Sequence, residues 1–398
     1  VRHRSSRQIQ VREHQLLVWA PNHILCSKEM GTGYSYFAGK SVQALTAELV
    51  VDCQNALGES PVYDADTNTL YWVDIEGKTI WQMDTTSGEQ NSYKLKERPG
   101  CIGLTAESGK LLVALDKTGM ATFNTANGKI SKICDFEADL PNTRANDGRT
   151  DRQGRFLIGG YNETWREDGG QEISGYYRLD ANSKLTEVLD TKFRCANGTA
   201  VSPDGTTVYL TDSPKREIMK YDYDVATGAL LNPRVFYAMP EGDEGVPDGA
   251  QVDSEGHLYV AYNGGGKVCR HNRDTGAIEL ELVLPDGWRG VTSCTFGGVG
   301  HKTLYITTNR RRMTFVEKDK FPKAGALYSV NFEAAELPIE GVPEIKFQLD
   351  GAFSALTRKF SGNKIRLDGA DKAFGTKTNV DTSLVEDSGP TCGMCVVC

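Results

Sequence analysis

The sequence has no apolar run approaching the ~18 residues needed to cross a bilayer as a helix, which removes helical membrane spans from consideration. It has no excess of positive charge. Lys and Arg number 45 against 53 Asp and Glu, a net charge of -8 over 398 residues, so the basic footprint of a nucleic-acid binder is missing. Proline is sparse at 14 while Gly reaches 42, a balance that points to many tight turns and away from Pro-rich disorder. No segment carries a long apolar stripe of period 3.6, so helix should be scarce. There is no Gly-x-Ser-x-Gly elbow and no Gly-rich phosphate loop. His257, His271 and His301 stand at no metal-ligand spacing from another His or Cys. The ten Cys are scattered instead of framing a small disulfide scaffold. Those from Cys26 to Cys294 read as small buried apolar residues of a protein in a reducing, cytoplasmic setting.

What the sequence does contain is a repeat. Short β-branched and aromatic runs recur as Leu70-Tyr-Trp-Val-Asp74, Leu111-Leu-Val-Ala-Leu115, Phe156-Leu-Ile-Gly-Gly160, Val208-Tyr-Leu-Thr-Asp212, Leu258-Tyr-Val-Ala-Tyr262 and Leu304-Tyr-Ile-Thr-Thr308, with starts 41, 45, 52, 50 and 46 residues apart. Second runs follow, such as Thr79-Ile-Trp-Gln-Met83 and Ala326-Leu-Tyr-Ser-Val330, and Asp/Gly/Asn turns separate them. A period of ~40–50 residues with about four short strands per unit is the pattern of a β-propeller blade. The expected fold is all-β: a six-bladed β-propeller over residues 46–347, with non-propeller extensions at 1–45 and 348–398. A propeller must close its ring or expose two sheet edges. Ala47-Glu-Leu-Val-Val-Asp52 and Glu344-Ile-Lys-Phe-Gln348 are expected to share the closing blade.

The two ends differ from the middle. The first residues are basic and polar, and the apolar stretch Leu16–Ala20 is cut short by Pro21, a poor signal-peptide core. With Val at position 1, Met30 is a candidate start. The region after Leu349 reads as a flexible tail. It ends Cys392-Gly-Met-Cys395-Val-Val-Cys398, which offers a prenylation-like pattern, a soft-metal thiolate cluster, or unengaged thiols.

Within the repeats, polar residues recur about ten positions ahead of a repeat strand. Glu59 lies in Leu57-Gly-Glu-Ser-Pro61. Arg144, Asn146 and Asp147 lie in Arg144-Ala-Asn-Asp-Gly148. Asn197 is followed by Gly198, and Asp248 lies in Val246-Pro-Asp-Gly249. Asn-Gly, Asn-Asp-Gly and Pro-Asp-Gly are also ordinary turn formers. Shared placement in the blades, and a Glu that is no turn former, favour a common site at one channel mouth. Glu59, Asn197 and Asp248 would present three oxygen ligands, the preference of hard divalent cations. Cys101, Cys134, Cys195 and Cys294 have no His partner by pattern and read as packing.

These motifs, with Tyr262-Asn-Gly-Gly265 and Thr292-Ser-Cys-Thr-Phe-Gly-Gly298, occur in an order that resembles the regucalcin (senescence marker protein)/gluconolactonase family of six-bladed propellers over about residues 46–347. The resemblance implies a sugar lactonase using one divalent cation (Ca²⁺, Zn²⁺, Mn²⁺ or Mg²⁺). It implies Glu59, Asn197 and Asp248 as metal ligands and Arg144 and Asn146 as lactone-binding residues. Gly160-Tyr-Asn-Glu-Thr164 corresponds to a stretch that carries a substrate-binding Glu in the family, and Glu163 is the candidate. Lactone hydrolysis needs a polarised carbonyl and an activated water, both within reach of a bound cation, with Asp248 suited to act as general base and Arg144 to bind hydroxyls or the developing oxyanion. The expected partner is a small sugar lactone, with no nucleic acid, and the chain is expected to be a monomer or small homo-oligomer. The alternatives are a calcium-binding regulatory protein, a hydrolase of another ester or phosphotriester on the same scaffold, and a protein-docking propeller.

Overall fold

The computed structural model describes residues 32–37 and 40–349. Six sheets are arranged in a ring. The innermost strands, in chain order, are Gly58–Asp64, Pro99–Leu104, Thr143–Thr150, Ala196–Val201, Val246–Val252 and Val291–Gly297. Each packs against the next, and the last packs against the first. The fold is a closed six-bladed β-propeller, as the repeat spacing implied. Among the described residues the α-helical content is one short helix, Phe315–Lys320, and no helix is long and apolar enough to cross a membrane.

The runs that revealed the repeat are the second strands of the blades. Thr69–Asp74 and Phe156–Asn162, for example, are buried along their whole length. Each is covered on both faces by neighbouring blades, so its sequence reads as a continuous apolar and aromatic run instead of alternating. The outermost strands, such as Gln90–Lys94, are largely exposed and polar. The core is accordingly divided into six apolar clusters, one at each blade junction. The largest side chains sit there, including Trp72 between the sixth and first blades and Tyr259 with Phe296 between the fifth and sixth.

Ring closure differs from expectation in one respect. Glu48–Val51 pairs antiparallel with Leu327–Asn331 and completes the sixth blade. The segment 341–348 does not join it. It crosses the floor of the ring instead. Gly341 bridges Asp253 of the fifth blade, Phe347 bridges Thr105 of the second, and Gln348 N–H donates to Gly154 O of the third. With the fourth strand position of the last blade already filled from upstream, the downstream segment has no free edge there. A buried acid–base pair and an apolar socket for Phe347 hold it across the floor.

Lys40–Thr46, most of it expected within an extension, also forms a strand. It runs parallel to Ile278–Val283 at the outer edge of the fifth blade, and Thr32–Phe37 pairs with it in turn, giving a six-stranded sheet. The tail motif at Cys392, Cys395 and Cys398 lies outside the described residues. The six described cysteines, Cys53, Cys101, Cys134, Cys195, Cys269 and Cys294, are all free.

Candidate active site

Every innermost strand carries a one-residue irregularity in its pairing with the second strand, at matching positions around the ring. In four blades it falls at the polar motifs: between Glu59 and Val62, Ala145 and Gly148, Asn197 and Ala200, and Pro247 and Ala250. The Asn-Asp-Gly, Asn-Gly and Pro-Asp-Gly sequences are therefore bulges inside strands and not turns. A bulge places two residues opposite one, which re-aims a side chain that regular pleating would send elsewhere. Gly is needed at these points for two reasons. Gly198 has φ +66, and a Cβ on Gly249 would sit 2.1 Å from Ser293 Oγ. Ser60, beside Glu59, adopts φ 47 without being Gly. Its hydroxyl holds it there by accepting from the Ile102 amide at 3.0 Å.

The bulges open into one cavity of about 310 Å³ at one mouth of the channel. Glu59, Arg144, Asn146, Asn197 and Asp248 all line it, contributed by the first, third, fourth and fifth blades. Glu163 is not among the lining residues. It sits one layer out, where Arg98 grips both its oxygens at 2.7 and 2.8 Å and Arg144 Nε approaches to 3.8 Å. Burial would raise its carboxyl, but the Arg98 hydrogen bonds and charge hold it below the usual Glu range. It thus contacts two guanidinium groups, Arg98 closely and Arg144 at longer range.

The cavity side chains are held individually. Asn197 Nδ2 donates to Ser213 Oγ at 2.8 Å, and that hydroxyl is committed as a donor to Pro247 O at 2.7 Å. The amide orientation is thereby fixed, leaving Oδ1 as the acceptor end. Asn146 uses its Nδ2 on Asn197 Oδ1 (2.8 Å) and Ala196 O (2.9 Å), and its Oδ1 on Arg144 Nη1 (2.8 Å). It therefore links the third and fourth blades with both ends engaged. Asn263 Nδ2 donates to Asp248 Oδ2 at 2.9 Å. Asp147, in the same band, accepts from the Thr199 amide at 2.8 Å.

Electrostatically this end of the channel is under-neutralised. Burial first, then the neighbouring Asp248 and Asp147, push the Glu59 carboxyl well above its ordinary range. Burial first, with Asp147 adding to it, pushes Asp248 up to about 7. Buried carboxylates are costly unless paired or bound to a cation, and no Lys or Arg forms an ion pair with Glu59 or Asp248 among the described residues. The donor set is two carboxylates and one oriented amide oxygen. It suits a hard divalent ion that takes oxygen ligands. Among the described residues no three His, Cys, Asp or Glu side chains group as a metal site, so the fit rests on Asn197 as the third donor. Cys195 also lines the cavity, but burial and the nearby Asp248 push its thiol far up, which leaves it unionised and a poor nucleophile.

A second set of polar residues, most of them inside the quoted motifs, had no role assigned from the sequence. Asp74, Asn162, Asp212, Asn263 and Asn309 stand at or just after the ends of second strands. Asp74 accepts from the amides of Ala56 and Leu57, just before Glu59. Asp212 accepts from the Cys195 amide, just before Asn197. These groups fix the entry of an innermost strand from within its own blade. A recurring Asp or Asn at the close of each apolar run was the available signal.

Comparison with known proteins agrees with this architecture. Residues 57–310 match the model of the SMP-30/gluconolactonase/LRE-like region. The chain is 34% identical over 286 residues to an L-arabinolactonase of Azospirillum brasilense, covering 71% of this chain and 90% of that relative. It is 31% identical over 306 residues to a regucalcin of Danio rerio, covering 77% and 99%. The crystal structure of a calcium-binding protein, regucalcin, from Agrobacterium tumefaciens superposes with a TM-score of 0.70 at 24% identity, covering 77% of this chain and 99% of that one, and so shares the fold. The chain belongs to the SMP-30/gluconolactonase/LRE-like family.

Proposed function

We propose that the chain hydrolyses a sugar lactone at this channel mouth, with a divalent cation held by Glu59, Asn197 and Asp248. The observation that carries the reading is the convergence of a buried carboxylate, Asp248, a half-buried one, Glu59, neither with an ion-pair partner among the described residues, and an orientation-locked amide, each from a different blade, on a cavity of about 310 Å³ that also contains Arg144. The relative named L-arabinolactonase supports a lactone as the substrate class.

A bound cation supplies Lewis acidity toward the lactone carbonyl and acidifies water. The chain's own residues do the rest. Asp248 takes the proton from the attacking water as general base. The carbonyl carbon gains the hydroxyl, the ring C–O bond breaks, and the ring oxygen leaves as the alcohol of the open-chain acid once protonated. Arg144 is buried and stacked 4.7 Å from the Tyr161 ring centroid. It faces the substrate as a donor to the carbonyl oxygen as charge develops. Asn146 bonds both Arg144 and Asn197 and, lining the cavity, also faces the sugar, while Glu163 positions Arg144 from outside the lining. Free thiols throughout the described residues accord with a reducing, cytoplasmic location.

The test is lactone hydrolysis by the purified full chain before and after chelation, with Ca²⁺, Mg²⁺, Mn²⁺ and Zn²⁺ restored one at a time. The expected result is loss on chelation and recovery with at least one ion. Turnover indifferent to chelation would remove the cation from the reading. Cation binding with no turnover of any lactone would favour the calcium-binding regulatory alternative.

A further inference from the structure

The cavity's charge is distributed unevenly. Asp248 is buried and Glu59 half-buried, while four arginines, Arg144, Arg166, Arg311 and Arg312, also line the cavity, Arg166 and Arg312 being exposed, in a protein whose net charge is -8. Two of the four have local carboxylate neighbours: Arg144 lies 3.8 Å from Glu163, and Arg311 lies 3.4 Å from Glu76. Arg166 and Arg312 have no carboxylate within ion-pair distance among the described residues. Arg166 instead lies 4.2 Å from the Trp165 ring centroid and donates to Tyr161 Oη at 3.3 Å.

Both loops that carry these residues are constructed and not merely exposed. Asn162 Oδ1 accepts from the Thr164 amide and hydroxyl, and its Nδ2 ties down Asp168 and Gln171 O, enclosing Trp165 and Arg166 in a braced turn. On the sixth blade, Asn309 bridges Leu57 and accepts from the Arg311 amide at 3.1 Å. Arg312 sits at φ 60, two residues before the N-cap of a helix locked by a Thr314–Glu317 capping box. The third and sixth blades stand opposite each other in the ring, so the unmatched guanidinium groups are presented from facing sides of the mouth. Two buried donors on lining residues, Arg144 Nε and Trp165 Nε1, also lack an acceptor. Such atoms cost roughly 1–3 kcal/mol each when left unpaired, and a ligand or water normally supplies the missing acceptor.

We propose that the substrate is an anionic lactone, one carrying a carboxylate, phosphate or sulfonate remote from the ring carbonyl, and that Arg166 and Arg312 select it. This rests on the lactonase reading and adds the substrate's charge to it. Guanidinium groups suit planar or tetrahedral oxyanions through paired N–H donors, and the two without carboxylate neighbours present positive charge beside the carboxylates of the same cavity.

The experiment compares kcat/KM for neutral gluconolactone with that for phosphogluconolactone and for glucarolactone, using the full chain loaded with cation. The two anionic substrates separate phosphate from carboxylate recognition. The anionic lactone is expected to be preferred by at least ~10-fold at low salt, with the preference shrinking as the Debye length falls from ~10 Å toward ~3 Å at molar salt. Arg166→Gln with Arg312→Gln should reduce the preference ~10-fold, mainly through the KM of the anionic substrate, with partial recovery in the Lys variants. Arg310→Gln, whose guanidinium bonds Gln54, serves as the control that leaves the ratio unchanged. Efficient turnover of the neutral lactone with no anionic preference, or a preference insensitive to salt, overturns this inference and leaves the lactonase reading standing. Failure to turn over any of the three overturns both.

Discussion

The two ends of the channel are chemically opposite. At the floor, Glu344 accepts from Arg149, from Gln251 Nε2 at 2.8 Å and from Thr295 Oγ1 at 3.1 Å. Arg149 also donates from Nε to Thr199 O and from Nη2 to Ala250 O. Both charges of this pair are answered from within the chain. At the mouth, Glu59 and Asp248 face each other and Asp147 with no cation of the protein paired to them, and burial drives both toward protonation. A satisfied buried ion pair serves structure, and an unsatisfied set of like charges in a cavity is where a ligand or ion is to be expected. The difference separates the residues that hold the propeller shut from those proposed to act.

That contrast is tested most strongly by exchanging charge at each end. Asp248→Asn or Glu59→Gln should lower lactone turnover by a factor of ~10³ or more, as expected when a group central to charge stabilisation is removed. Thermal stability should be kept or improved, because a buried like-charge repulsion is relieved; steady-state kinetics beside a melting curve reads both. Glu344→Ala should do the reverse. It strands Arg149 in the channel and should cost about 3–5 kcal/mol in denaturant unfolding, with the cation-dependent activity of the folded fraction preserved. An activity loss at Glu344 as large as that at Asp248 would erase the distinction between the two ends.

A third prediction concerns the blades and not the channel. His271 is wholly buried between Tyr262 Oη at 2.9 Å and Gly276 O at 2.8 Å. Burial, with Lys267 nearby, lowers its pKa from 6.5 to about 4. The folded state therefore resists a proton that the unfolded chain accepts. Stability is full above about pH 6.5 and declines as pH falls toward 4, by at most about 3 kcal/mol at 1.36 kcal/mol per unit. Unfolding free energies measured across that window, in wild type and in His271→Asn, should differ in slope; parallel profiles would contradict the assignment. The smallest effect is expected at Glu163→Gln. Loss of the charge that positions Arg98 and Arg144 should lower kcat/KM about tenfold, roughly 1.4 kcal/mol, without abolishing turnover. A loss as deep as that of Asp248→Asn would return Glu163 to direct contact with substrate.

The architecture was legible because the second strands are buried on both faces, so Leu70–Asp74 and its five counterparts announce themselves as apolar runs at blade spacing. The innermost strands were harder to read. Their Asn-Asp-Gly and Pro-Asp-Gly sequences look like turns, and only pairing with the second strand shows them to be bulges. Glu59, Asn197 and Asp248 could be singled out because they recur at one blade position. Glu163 could be named but not placed, since one residue of register decides whether a side chain faces the cavity or the layer behind it. The floor segment was misplaced because a single buried pair, Arg149 with Glu344, and the Phe347 socket hold it, and neither leaves a periodic trace. Arg166 and Arg312 lie in loops outside the repeat and became visible only once the third and sixth blades were set opposite each other.

The most direct test of the account is the cation stoichiometry of the purified full chain, measured by calorimetric titration after chelation in wild type, Asp248→Asn and Glu344→Gln. The account predicts one divalent ion per chain in wild type and in Glu344→Gln, and affinity weakened at least ~100-fold in Asp248→Asn, the scale of losing a charged oxygen ligand. Unchanged binding in Asp248→Asn, or binding lost only with Glu344, would contradict it.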